Sequence, residues 1–172
     1  MNKDSTSNGN PRWIDPAQAF VLISYRRADT GVESQRLYDR LAEVYGADRV
    51  FMDVRDVLIG VDHVEKLRAQ IERCSAVLVV IGPAWLAATD ERGQRRLDLP
   101  DDPVRAEVAL ALKQKHIQVI PVLVRNASLS ADGLPANIRL LARRNWIVLR
   151  PEHWEDDVER LMLGLQTSLP PA

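Results

Sequence analysis

The chain has 172 residues and a formal net charge of −1, so it is long enough for one domain with a real core. Acidic and basic residues are interspersed, which argues against nucleic acid or an anionic membrane surface as a partner. The longest apolar stretch, "SAVLVVIGPAWLAA", contains Gly82 and Pro83 and is shorter than the roughly 18 residues of a membrane-spanning helix. We therefore expect a cytoplasmic globular domain, a location that also suits a single cysteine, Cys74.

The beginning of the chain predicts a leader, a strand and a helix. Residues 1–18 are polar and lack the apolar core of a signal peptide, so we expect a disordered leader. The run "AFVLIS", residues 19–24, is almost continuously apolar, which is typical of a strand buried on both faces. Apolar residues then recur at helical spacing between a capping box at Thr30 and Glu33 and a stop at Gly46.

The rest of the chain continues to alternate apolar strands with amphipathic helices. Further strands are predicted over residues 49–52, 76–82, 117–124 and 146–149. Further helices are predicted after the caps Asp62 and Asp102, over residues 134–144 and over residues 153–166. This alternation indicates an α/β fold with helices on both faces of a parallel sheet. The commonest order for five such strands, 2-1-3-4-5, is the one we predict.

Glu107 occupies an unusual place on the third major helix. With successive residues about 100° apart around the axis, Val104, Val108 and Ala111 outline a buried stripe, and Glu107 falls on its shoulder. An acid there is either a rim residue that extends to solvent or a carboxylate aimed into a cleft. Which of these two positions Glu107 occupies decides what the domain can do chemically.

The carboxyl ends of the first and third strands form the expected ligand edge of such a sheet, because the winding reverses between them. The segments "SYRRAD" (24–29) and "GPAW" (82–85) reach this edge, as do the loop after the second strand and the start of the helix that carries Glu107. Their side chains suit a ligand with rings, phosphates and a ribose: Tyr25, Arg26, Arg27, Asp53, Trp85 and Glu107.

Several of these residues also have a structural interpretation. Arg26 and Arg27 are either solvated loop charges or partners of a phosphate or a carboxylate. Residue type alone favours Trp85 as a cover for the edge of the core, and the structural alternative for Asp53 is that it holds its own loop. Cys74 precedes the third strand, at the opposite edge of the sheet, and we interpret it as an inert buried thiol.

Motif spacing excludes several familiar chemistries. The chain contains no G-x-G-x-x-G, no phosphate-loop motif and no G-x-S-x-G elbow. His63, His116 and His153 are too far apart in sequence for paired metal ligands, so no metal site is expected. A phosphoacceptor receiver domain would carry an aspartate after the third strand, where this chain has Gly82 and Pro83.

Four blocks in order, "FVLISYRRAD", "RVFMDVRDVLIG", "AVLVVIGPAWL" and "DDPVRAEVALAL", resemble the Toll/interleukin receptor (TIR) domain in its bacterial form. The resemblance places a TIR domain over residues 19–167, followed by a short tail over residues 168–172. It implies a flavodoxin-like three-layer α/β sandwich. It also implies a self-association element, the BB loop, formed by Val54, Arg55, Asp56, Val57, Leu58, Ile59 and Gly60.

The resemblance implies one of two functions. Some members are non-catalytic adaptors that associate with one another in signalling, whereas many others cleave NAD+ between nicotinamide and ribose. The enzymes carry a glutamate in the helix after the third strand, commonly within a W-x-x-x-E segment. The matching glutamate here is Glu107, and Pro103 holds the position of the tryptophan. Trp85 or Tyr25 would then form the aromatic wall of the nicotinamide pocket.

An NAD+-cleaving member would use Glu107 as its catalytic residue. NAD+ would be the substrate, no further cofactor is expected, and the product is either ADP-ribose or a cyclic form of it. The resemblance also implies activation by homotypic TIR–TIR association, a sensor domain or protein as a partner, and a role in antiphage defence or as an effector. The expected substrate-binding residues are Ser24, Tyr25, Arg26, Arg27, Asp53, Trp85 and Pro103.

Overall fold

The sheet of this protein has the predicted order. The computed structural model describes residues 20–52 and 63–166, and its five parallel strands are arranged β2-β1-β3-β4-β5. The strands are β1 (Phe20–Ser24), β2 (Val50–Met52), β3 (Cys74–Ile81), β4 (Gln118–Val124) and β5 (Ile147–Leu149). The α-helices are α1 (Arg27–Tyr45), α2 (His63–Glu72), α3 (Pro103–Lys113) and α4 (Trp154–Gln166).

Helices cover both faces of the sheet, which makes the predicted three-layer, flavodoxin-like sandwich. The central strand β3 is buried along its whole length. Its alternate residues enter two separate cores, because successive side chains of a strand point to opposite faces. Leu78 and Val80 pack with α1 and α4, whereas Val77, Val79 and Ile81 pack with α2 and α3. The buried face of α4 is formed by Val158, Leu161, Met162 and Leu165.

The start of α1 differs from the prediction. The helix begins at Arg27, ahead of the predicted cap, and Thr30 lies inside it with non-helical angles of φ −126° and ψ 25°. Within the ranges that the structure describes, the Thr30 hydroxyl has no hydrogen-bond partner. Glu33 instead pairs with Arg125, its Oε1 2.9 Å from the guanidinium Nε. The predicted capping box is therefore wrong, although α1 does end before Gly46 as expected.

The other predicted elements are present with shifted boundaries. The strand predicted over residues 76–82 begins earlier, at Cys74, because the amino end of β3 still pairs with Phe20 of β1. The helix predicted over residues 134–144 is a 3₁₀-helix, Ala136–Arg143. The cap Asp62 and the loop 53–62 lie outside the described residues. Two further 3₁₀-helices are Arg96–Asp98 and Pro151–His153.

No helix in the described ranges 20–52 and 63–166 combines the length and apolar character needed to cross a bilayer.

Candidate active site

Glu107 faces the carboxyl end of β1. Its Oε2 accepts a hydrogen bond of 2.5 Å from the Oγ of Ser24, the last residue of that strand. Ser24 is fully buried and Glu107 is only 5% exposed. Of the two interpretations of the helix wheel, extension to solvent is therefore wrong, and the carboxylate is directed at the edge of the sheet. β3 lies beside it, since Ser24 pairs with Val79.

The local sequence of α3 explains how Glu107 reaches this edge. Asp102 begins the helix as its N-cap, accepting a 2.9 Å hydrogen bond from the backbone N–H of Arg105. Pro103 takes the first helical position, where a missing N–H costs nothing. Val104 and Val108 are buried in the core beneath the sheet. This apolar stripe fixes the rotation of α3 about its axis, and the rotation places Glu107 against Ser24.

Arg26 is paired within the protein. Its Nη1 and Nη2 each lie 3.0 Å from an oxygen of the Asp102 carboxylate, and its Nε donates to the carbonyl of Trp85 over 3.3 Å. Only 6% of the residue is exposed. Phosphate binding by Arg26 stays a prediction, one that requires the pair with Asp102 to open. Arg27 is exposed at the start of α1.

The Asp102 carboxylate stays ionised although it is buried. Burial on its own would raise the pKa, but hydrogen bonds from Arg26, from the Arg105 N–H and from Arg96 outweigh it. The pKa of Asp102 therefore lies below its ordinary value. Arg96 contributes through its Nε, 3.2 Å from Oδ2, and brings the loop before α3 to the same carboxylate.

The two aromatic candidates are both buried. Trp85 has no exposed surface and belongs to the core on the α3 side of the sheet. The guanidinium carbon of Arg26 lies 5.9 Å from its ring centroid, within the range of a cation–π contact. Tyr25 is also buried, on the side of α1 and α4. The arrangement of Trp85 agrees with its interpretation as a cover for the core edge.

A family model described as "TIR domain" matches residues 21–162, which is most of the chain. The chain belongs to the TIR domain family. The fold of this TIR domain is similar to the TIR domains in a structure of the activated Roq1 resistosome directly recognizing the pathogen effector XopQ. That likeness has a TM-score of 0.62 at 15% sequence identity and covers 86% of this chain and 99% of the other.

A second similar structure is the TIR domain of the Toll-related receptor TRR-2 from Hydra magnipapillata. Its TM-score is 0.55 at 18% identity, and the match covers 84% of this TIR domain and 94% of that chain. No curated protein matches the chain in sequence. At these identities the structural likeness establishes the fold of the domain.

Sequence reasoning missed a second polar cluster at this edge of the TIR domain. Arg125 follows β4 with a positive φ of 49°. Its Nη2 lies 3.1 Å from Oδ1 of Asp29, and the same oxygen accepts a hydrogen bond from the N–H of Ala84 over 3.3 Å. These contacts connect the end of β4, the segment after β3 and the first turn of α1. The sequence did contain a signal for this cluster, since Arg125 directly follows a strand at the predicted ligand edge.

The pairing of Arg26 with Asp102 was also missed. The sequence identified Asp102 as a helix cap and Arg26 as a rim cation, but it did not connect them. Both residues belong to segments predicted to reach the same edge of the sheet, and their opposite charges could have indicated that they pair. Of the remaining predicted binding residues, Pro103 is half-buried at the start of α3. Asp53 and the BB loop residues 54–60 lie outside the described part of the chain.

Neither Cys74 nor His116 contributes a reactive group to this edge. Cys74 is buried at the amino end of β3, and burial raises the pKa of its thiol to about 12. His116 lies elsewhere, with its Nε2 3.1 Å from the carbonyl of Glu72. Within residues 20–52 and 63–166, histidine, cysteine and acidic side chains form no group of three or more able to hold a metal ion.

Proposed function

We propose that this TIR domain is an NAD+ nucleosidase that cleaves the bond between nicotinamide and ribose, with Glu107 as its catalytic residue. The observation that carries the proposal is the buried Glu107 carboxylate, 2.5 Å from Ser24 at the carboxyl end of β1. Ligands of doubly wound sheets bind at this edge, where the strand order reverses. A carboxylate shielded from water also interacts more strongly with a developing positive charge than an exposed one does.

The chemistry requires one carboxylate. Ordinary glycosidases use two, and one of them protonates the leaving oxygen. In NAD+ the leaving ring is a pyridinium, so the electron pair of the breaking C1′–N bond neutralises it and no general acid is needed. Positive charge then develops on the ribose, where Glu107 would stabilise it or hold the hydroxyl groups. Attack by water gives ADP-ribose, nicotinamide and a proton, whereas attack from within the same molecule gives cyclic ADP-ribose.

We further propose that activity depends on homotypic TIR–TIR association through the BB loop, residues 54–60. Assembly would be triggered by a sensor domain or protein, and the domain would act in the cytoplasm of a bacterium, in antiphage defence or as an effector. Family membership supports association, and one similar structure belongs to an assembled resistosome.

The test is release of nicotinamide from NAD+ by the protein tethered densely on a surface. The Glu107→Gln variant keeps the size of the side chain and removes its charge, and we expect its rate to fall by about a hundredfold or more. Glu33→Gln is the matched control, because Glu33 is a carboxylate near the same edge that pairs with Arg125. Equal release by wild type and Glu107→Gln would remove Glu107 from the mechanism.

The second candidate function is a non-catalytic TIR scaffold. It is favoured by Pro103, which holds the place of the tryptophan of the W-x-x-x-E segment, and by the complete burial of Trp85. A scaffold would self-associate through the BB loop without releasing nicotinamide at any density. Light scattering on wild type and Ile59→Ala, run beside the NAD+ assay, distinguishes this function from the enzyme.

A further inference from the structure

We infer that Arg26 and Asp102 are positioning residues, whose ion pair sets the separation between Glu107 and Ser24 and so affects bond cleavage rather than the affinity for NAD+. The inference rests on the proposed function. It assigns Arg26 to the support of the catalytic residue instead of to the phosphates of the substrate.

Two buried contacts join the same two parts of the fold. Ser24 ends β1 and Arg26 follows it as the N-cap of α1, whereas Asp102 is the N-cap of α3 and Glu107 is the fifth residue of that helix. The hydrogen bond between Ser24 and Glu107 is therefore one connection between β1 and α3, and the ion pair between Arg26 and Asp102 is another. A rigid helix transmits a shift at Asp102 to Glu107, because they lie within about two helical turns of each other.

The Asp102 carboxylate has little freedom to move. Oδ1 accepts from Nη2 of Arg26 and from the Arg105 N–H, and Oδ2 accepts from Nη1 of Arg26 and from Nε of Arg96. Two donors to each oxygen fix both the place and the plane of the group. The pair is shielded from water, since the Asp102 side chain has no exposed surface.

The guanidinium of Arg26 is engaged in the same way. Each of its three nitrogens has a partner within the protein, two oxygens of Asp102 and the carbonyl of Trp85. This arrangement orients the two terminal nitrogens of the guanidinium toward α3. A phosphate ligand would have to replace a bidentate carboxylate that is already desolvated.

The test uses two variants that disturb the pair in different ways. Asp102→Asn keeps an N-cap side chain of the same size but loses the charge. Arg26→Lys keeps the charge but loses the planar fork. For both we expect kcat for NAD+ cleavage to fall roughly tenfold to a hundredfold, with KM within about twofold of wild type, because a small misplacement of a catalytic group slows the reaction itself.

A second readout does not depend on activity. In protein labelled with ¹³C at the glutamate side-chain carboxyl, the Glu107 signal, assigned by its loss in Glu107→Gln, should shift in both variants. Asp157→Asn is the matched control. Asp157 is also a buried carboxylate held by two nitrogens of an arginine, Arg150, but α4 lies on the opposite face of the sheet. This control should lose stability while leaving kcat and the Glu107 signal unchanged.

The possible outcomes separate the inference from the proposed function. A raised KM with an unchanged kcat in Arg26→Lys overturns the inference in favour of a phosphate ligand. An unshifted Glu107 signal in a folded variant also overturns it, whether or not wild type cleaves NAD+. If wild type does not cleave NAD+ but the Glu107 signal shifts in both variants, the result supports the positioning role and contradicts the proposed NAD+ nucleosidase function. If Asp102→Asn does not fold, the signal and the kinetics of Arg26→Lys decide alone.

Discussion

Gly82 and Thr30 lie so close together that a β-carbon on the glycine would be 2.5 Å from the Cγ2 of the threonine. The same β-carbon would lie 2.6 Å from both carboxylate oxygens of Asp29. Gly82 follows the last residue of β3, and both neighbours belong to the beginning of α1. A glycine at this point is what allows the end of the central strand to contact the first helix directly.

The first prediction concerns this contact. Gly82→Ala should lower the free energy of unfolding by about 1–3 kcal/mol, because the added methyl group must displace α1 or β3. Chemical denaturation followed by circular dichroism measures the change. Gly164→Ala is the control: it lies inside α4, and, apart from the backbone of that helix, its β-carbon would meet no atom of the described residues within 4 Å. It should stabilise the domain by roughly 0.5–1 kcal/mol, and equal effects of both substitutions would contradict the contact.

The second prediction compares two fully buried serines. Ser24→Ala removes the hydroxyl that donates to Glu107 and should cost about 1–3 kcal/mol. The hydroxyl of Ser34 has no hydrogen-bond partner within the described part of the chain. Ser34→Ala should therefore be neutral or stabilise the domain by a few tenths of a kcal/mol, about the difference in helix propensity. Thermal unfolding of the two variants gives the comparison, and a larger loss for Ser34→Ala would contradict the assigned hydrogen bond.

The third prediction concerns acid. Because folding lowers the pKa of Asp102 below its ordinary value of 3.8, its contribution to stability is complete well above that value and is lost as the pH falls toward the folded pKa. Asp102→Asn should cost about 3 kcal/mol at pH 7. In urea titrations, the stability of this variant should drop less between about pH 6 and pH 3 than the stability of wild type does.

The control for acid is Asp98→Asn. The Asp98 side chain is 64% exposed and forms an ion pair with Arg95 at the surface. Surface pairs contribute only about 0–1 kcal/mol, so this variant should differ little from wild type at pH 7. Two results would be inconsistent with the assigned role of Asp102. One is a large loss of stability in Asp98→Asn, and the other is a drop in stability at acid pH that Asp102→Asn leaves unchanged.

The fourth prediction concerns Cys74. With its thiol buried and its pKa raised to about 12, Cys74 should not react with a disulfide reagent at pH 8 while the domain is folded. It should react fully once urea unfolds the chain. Absorbance of the released aromatic thiolate measures both states. Rapid reaction in native buffer would show that the amino end of β3 opens readily.

The fold could be predicted because its signals are local. Each strand is an apolar run, each helix has a periodic apolar face, and the right-handed crossover rule then leaves few sheet orders. The helix wheel left the direction of Glu107 undecided. The burial of Val104 and Val108 fixes the rotation of α3 about its axis, and this rotation turns Glu107 toward the sheet. The wheel gives the angle of a side chain, but only packing shows which neighbour lies at that angle.

The features that were not predicted depend on pairs far apart in sequence. Arg26 and Asp102 are separated by 76 positions, and no periodic pattern connects them. Asp29 and Arg125 are separated by 96 positions. The early start of α1 has the same origin, because that turn is held by contacts with the segments that follow β3 and β4 rather than by the capping box in its own sequence.

The shared carboxylate of Asp102 has a consequence for protein engineering. It joins residues from three segments of the chain, so Arg26, Arg96 and Asp102 can be exchanged only as a set. A chimaera that takes α3 from one relative and β1 from another would inherit a buried charge without its counterpart. Recombination points for this domain therefore belong ahead of β1 or beyond α3, where all three residues stay together.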